Sequence, residues 1–141
     1  MEALSSQQTN ELDALFKDSL QKLKAGDNDE AVRLARYAWA KLPEHKFDHD
    51  HRVIYTDVMI DIYRGAQRYV EGIELAHQYM EADGIKADDH HPAYWFGTLY
   101  FEQGDLEQAR RWLAEANKRS GGRCFRPPEA RKYRDFLRGA S

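Results

Sequence analysis

Apolar residues recur at three- and four-residue intervals through most of this chain, the spacing that gathers them on one face of a helix. Leu12, Leu15, Phe16, Leu20 and Leu23 predict a first helix, with Thr9 or Asn10 as its N-cap and residues 1–9 frayed. Gly26-Asp27 breaks it. Ala31, Leu34, Ala35, Ala38, Trp39 and Leu42 then predict a second helix, closed by Pro43. Val53, Ile54, Tyr55, Val58, Met59, Ile62 and Tyr63 make a third, apolar over more than half its circumference and therefore expected to be buried on two sides. Gly65 ends it. Tyr69, Ile73, Ala76, Tyr79 and Met80 stripe a fourth helix up to Gly84. Residues 93–121 read as two more helices around a Gly104-Asp105 turn, with Phe96, Gly97 and Tyr100 on one and Ala109, Leu113 and Ala116 on the other. After a linker at 123–127, Pro128 opens a last helix running to Arg138 and striped by Tyr133, Phe136 and Leu137. The fold class is all-α.

The spacing Phe96-Gly97-x-x-Tyr100, then a turn and Ala109-x-x-x-Leu113-x-x-Ala116, resembles the tetratricopeptide repeat (TPR). The run from Ala25 to Pro43 matches the turn, second helix and closing proline of the same pattern. In the first helix Asp18 and Lys22 stand where the family places apolar contacts. In the middle unit the turn lacks Gly-Asp, and Gly72 and Tyr79 take positions where the pattern prefers alanine. The resemblance implies a single domain of three helix pairs, over residues 11–43, 53–84 and 90–121, with the helix at 128–138 as a cap. The pairs would stack as a right-handed α-α superhelix, because one pair alone cannot bury its apolar stripe. The two long connectors, 44–51 and 84–92, hold the residues in excess of the family's repeat length.

A TPR array lines its concave groove with the first helix of each pair. Carried over by position, that set is Phe16 and Leu20; Asp57, Asp61 and Arg64; His91, Tyr94, Thr98 and Phe101. Asp57, Asp61 and Arg64 also share one helix face by their own spacing, equally readable as a solvated polar stripe. The clamp by which some TPR domains grip a chaperone's C-terminal carboxylate is absent: its positions hold Phe16, Leu20, Val58, His91 and Trp95.

Composition adds partners and compartment. The chain has 141 residues and a net charge of −3, which hides an asymmetry. Residues 44–105 carry 13 acids and 5 bases, whereas residues 106–141 carry 4 acids and 10 bases. A basic surface of Arg126, Arg131, Lys132, Arg134 and Arg138 raises nucleic acid as a second partner class. The acidic middle argues against it, since phosphate is repelled there. A basic helix also neutralises an acidic body, its own or that of a second copy in a homodimer. No apolar run is long enough to cross a bilayer, and the N-terminus lacks the basic start and apolar run of a signal peptide. The single cysteine, Cys124, makes no intramolecular disulfide, so a cytoplasmic setting is expected.

Candidate chemistry is sparse. His45, Asp48, His49, Asp50 and His51 are metal-ligand types crowded in one connector, and a solvated acidic loop is the expected reading. His90-His91 beside Asp88-Asp89 is explained by helix entry, with either aspartate as cap. Cys124 lies between arginines, which would lower its pKa if it were exposed. No phosphate loop or nucleophile elbow occurs, and no residue set supports an enzyme, a cofactor or a metal. Trp95, Phe96 and Tyr100 read as core, while Tyr94 and Phe101 are left over for a groove. The expected function is non-enzymatic binding of a protein or peptide segment in the groove. The chain's form resembles small bacterial TPR proteins, some of which act as secretion chaperones or as neutralising partners of toxins. A nucleic-acid-binding or adaptor role through the basic helix is the alternative.

Overall fold

The computed structural model describes residues 3–139, and among these the chain is all-α. It divides into two compact units. The first runs to Arg68 and holds α1 (Ser6–Lys24), α2 (Asn28–Ala40) and α3 (Arg52–Gly65). The second starts at Tyr69 and holds α4 (Tyr69–Glu81), α5 (His90–Gln103), α6 (Leu106–Ser120) and α7 (Arg131–Leu137), with short 3-10 turns at Arg123–Phe125 and Pro128–Ala130. The division falls within the span of the expected middle repeat.

In the first unit, α1 starts earlier than expected. Ser5, not Thr9 or Asn10, is the N-cap: its hydroxyl accepts the Gln8 N–H at 3.1 Å, and the Gln8 side chain accepts the Ser5 N–H at 2.7 Å. This Ser-x-x-Gln box satisfies two backbone donors that a frayed start leaves to water. Leu4 is buried, and its N–H donates to Asp50 Oδ1 at 3.1 Å, so the start of the helix is tied to the first connector.

The α1–α2 contact is built on small residues. Ala31, Ala35 and Ala38 of α2 are fully buried. Opposite them Ser19 is fully buried as well, and its hydroxyl donates to the Ala31 carbonyl at 2.6 Å. The inward stripe of α1 is thus Leu12, Phe16 and Ser19, which leaves Asp18 and Lys22 in solvent and removes any conflict with a helix pair. At the other end of α2, Lys46 Nζ donates to the carbonyls of Trp39 at 3.1 Å and Leu42 at 2.8 Å. A cation there satisfies orphan carbonyls and complements the negative helix end.

α3 is buried over most of its girth, as expected, through Tyr55, Thr56, Met59, Ile60, Ile62 and Tyr63. Among its large apolar residues Ile54 is the exposed one, at 61%. Gly65 lets α3 approach α1: a Cβ there would stand 2.7 Å from Leu23 Cδ2.

In the second unit, α4 buries Gly72, Leu75, Ala76 and Tyr79, and the Tyr79 ring meets Trp95 of α5 edge-on at 4.9 Å. α5 and α6 form an antiparallel pair around Gly104, which adopts the left-handed conformation at φ 94° that closes α5, and Asp105, which caps α6. Gly97 packs directly against Leu113, and Phe96 lies 4.7 Å from Trp112. The final helix packs where the sequence offered only part of the partner surface. Leu113, Phe125, Ala130 and Tyr133 form a buried cluster, and Tyr94 and Phe101 of α5 join it. Tyr133 meets Tyr94 at 6.1 Å and Phe101 at 5.3 Å, both edge-on, and Phe136 meets Phe101 at 5.1 Å. α7 therefore covers α5 as well as α6.

Candidate functional site

In the first unit an open apolar groove lies between α1 and α3, with a volume of about 370 Å³. Helical spacing creates it. Phe16 and Leu20 lie one turn apart on α1, and Ile54 and Val58 one turn apart on α3. Phe16 and Tyr55 form the floor, their rings stacked at 5.6 Å. Leu20 is 39% exposed and Ile54 61% exposed, so the walls present apolar side chains to water. Lys17, Gln21 and Lys24 line the α1 side. The one lining carboxylate, Asp13, accepts the Tyr55 hydroxyl at 2.9 Å. Burial first, then the adjacent Asp13 charge, pushes the Tyr55 phenol well above its usual range, so it stays a neutral donor. The His51 ring also stacks on Tyr55, at 5.7 Å.

The residues that the repeat pattern assigned to a groove have varied fates. Phe16 and Leu20 do line one. Asp57 is exposed, and Asp61 forms an ion pair with Arg64 on the same helix. In the second unit, Thr98 is fully buried and donates to the Trp95 carbonyl at 3.1 Å, presenting nothing to a ligand. Tyr94 and Phe101 lie half-buried beneath α7, which supplies the packing that the sequence left unassigned. His91 is half-buried with Nδ1 2.7 Å from Asp89 Oδ1. The basic set is partly neutralised: Lys132 Nζ lies 2.6 Å from Glu102, and Arg134 lies 3.2 Å from Asp135. Arg126, Arg131 and Arg138 are exposed.

The first connector is solvated at His45, Asp48 and Asp50, as its charge predicts, but not throughout. His49 is fully buried. Its Nδ1 accepts the His51 N–H at 3.1 Å, and its Nε2 is buried. Burial holds this imidazole below its usual pKa, in the neutral form. Asp50 turns outward to His51 Nδ1 at 2.8 Å and to the Leu4 N–H, so the residues of 45–51 face different ways rather than one centre.

Among the described residues, potential metal ligands converge at Asp89, His90 and His91, with ligand atoms within 4.8 Å of one another. Local structure already engages them. Asp89 caps α5, accepting the His91 N–H at 2.9 Å, and also takes the Tyr79 hydroxyl at 3.2 Å. The site lies at the positive end of α5, which disfavours a cation. Burial, then the neighbouring His91, lowers the His90 pKa. Cys124 is half-buried, and burial pushes its thiol up, opposite to the thiolate that its flanking arginines suggest.

Among the described residues, no helix is long and apolar enough to cross a membrane. Comparison with models of known families, with curated proteins and with solved structures finds no significant match.

Proposed function

We propose that this chain is a non-enzymatic protein-binding module built of TPR-like helix pairs, and that the α1–α3 groove is its working surface. The occupant is an amphipathic helical segment of a partner protein, with bulky apolar side chains on one face and acidic residues beside them. One observation carries the reading: Ile54 and Leu20 stand exposed above a stacked Phe16–Tyr55 floor. Contiguous apolar surface of this kind, rimmed by polar side chains, marks interaction sites. Helix-in-groove recognition reads such side chains at one-turn spacing. Charge sets the sign of the partner. Lys17 and Lys24 line the groove, whereas its single carboxylate is held by Tyr55.

The repeat pattern of the sequence supports the TPR-like assignment, as do the small-residue contacts of α1 with α2 and of α5 with α6. The chaperone and toxin-neutralising roles fit a module of this size that binds a helix, as does an adaptor role.

The test is a display library of helical peptides selected on the full chain. Enrichment of amphipathic peptides with acidic flanks, whose binding is lost on Ile54→Glu and weakened by Lys17→Glu with Lys24→Glu, is the expected result. Enriched peptides that bind Ile54→Glu as well as the parent chain would place the working surface elsewhere.

A further inference from the structure

A second depression, unrelated to the groove, lies in the second unit, where α7 rejoins the end of α6. Its volume is about 460 Å³, within the range of about 300–1,000 Å³ typical of small-molecule sites. Three arginines line it: Arg126, Arg134 and Arg138. Phe125 and Leu137 give it an apolar wall, and Asn117 adds a side-chain amide.

The charge balance is lopsided. No acidic residue lines the pocket. Among its arginines, Arg134 pairs with Asp135 at 3.2 Å while both remain partly exposed. Arg126 and Arg138 form no ion pair or hydrogen bond with a described side chain. By contrast Lys132, on the same helix, is matched to Glu102. The chain thus matches Lys132 to a carboxylate of α5 and leaves Arg126 and Arg138 beside Arg134 around a concavity. Guanidinium forks match phosphate oxygens two at a time, and like charges facing one hollow are relieved when an anion enters.

The backbone explains why the three converge. Gly121 and Gly122 both take positive φ, at 61° and 84°, which turns the chain sharply after α6. The following 3-10 turn buries Phe125 and puts Arg126 at its exit. The short α7 then brings Arg134 and Arg138, four residues apart, onto the same side.

We propose that this pocket binds a small organic phosphate, with the phosphate on Arg126, Arg134 and Arg138 and the organic part against Phe125 and Leu137. The size of the hollow favours a small molecule over a nucleic-acid strand, and its apolar wall favours an ester over free phosphate. The site is independent of the α1–α3 groove.

Isothermal titration calorimetry on the full chain tests this, with inorganic phosphate, a nucleoside monophosphate and a single-stranded oligonucleotide as probes. One-to-one binding of the nucleoside monophosphate, tighter than inorganic phosphate, is expected. Arg126→Gln with Arg138→Gln should weaken it by about tenfold or more, and Arg126→Lys by less, because charge remains while the fork is lost. Arg131→Gln, outside the pocket, should leave it unchanged. Circular dichroism will show whether each variant is folded; these side chains are exposed, so folding should persist. Absence of saturable heat up to roughly 10 mM overturns the proposal. So does an equal loss in Arg131→Gln, which indicates diffuse charge attraction. An oligonucleotide that binds more tightly, with a steep salt dependence, overturns it in favour of a nucleic-acid surface.

Discussion

Gly97 lies so close to Leu113 that a Cβ on it would stand 2.6 Å from Leu113 Cδ2 and 3.0 Å from the Leu113 backbone nitrogen. The glycine is what allows α5 and α6 to approach closely. Gly97→Ala gains helix propensity of about 1 kcal/mol but must push backbone as well as side chain apart, at roughly 1–3 kcal/mol. The net expectation is a lower melting temperature. Gly65→Ala is the contrast, because only the Leu23 side chain stands in the way and it can swing aside. Its melting temperature should change less. Equal effects in the two variants would show that helix separation is not set at Gly97.

Removing residues 128–141 should uncover Tyr94, Phe101 and Phe125 together. An exposed aromatic patch of that kind drives association. Light scattering should report aggregates and thermal unfolding should shift downward. A truncated chain that stays monomeric and equally stable would mean that α7 is an ornament on the fold, not part of its core.

Ile54→Lys should change stability by no more than about 0.5 kcal/mol, the range of ordinary surface substitutions. Tyr55→Ala, one residue on, removes a buried ring and should cost roughly 3–5 kcal/mol. Chemical denaturation of the two variants separates groove wall from groove floor. A large loss in Ile54→Lys would mean that its side chain is packed rather than open.

His49 predicts a pH dependence. Its folded pKa lies below the ordinary value of 6.5, so between the folded value and 6.5 the unfolded chain binds more protons than the folded one. Stability is therefore intact above 6.5 and falls as the pH drops through 6.5 toward the folded value. Burial dominates this shift; a hydrogen bond to the Lys46 backbone and then the Asp50 charge oppose it, while His51 and Arg52 reinforce it. His90 contributes in the same direction. Urea midpoints at pH 7.5 and 5.5 should differ for the parent chain and differ less for His49→Phe. An unchanged difference would assign the effect to other groups.

Helices were legible in this sequence because their stripes are regular and their stops are marked by Gly-Asp, Gly-Gly and proline. Less legible were features that depend on partners distant in sequence. The Ser5–Gln8 capping box is a local signal and was readable, but the apolar stripe beginning at Leu12 drew the boundary later. Ser19 is a polar residue outside the apolar stripe, and the Ala31 carbonyl opposite makes its burial favourable. His49 carried the signature of a loop, and periodicity offers no way to see that its ring would be enclosed. For the site, Phe16 and Leu20 follow from position in the repeat pattern, whereas Ile54 sits in an apolar run that reads as core. Tyr94 and Phe101 read as groove residues, yet they are covered by a helix that the linear pattern assigned to α6 alone.

The seal that α7 places on α5 also has a consequence in time. Glu102 and Tyr133, joined by a 2.7 Å hydrogen bond, are 31 residues apart. At a synthesis rate of about 5–20 residues per second, the aromatic face of α5 exists for roughly 1.5–6 s before its cover has been made. During that interval Tyr94 and Phe101 have no α7 to pack against. Synonymous codons that slow translation across 103–133 would lengthen the interval without altering a single residue of the finished protein.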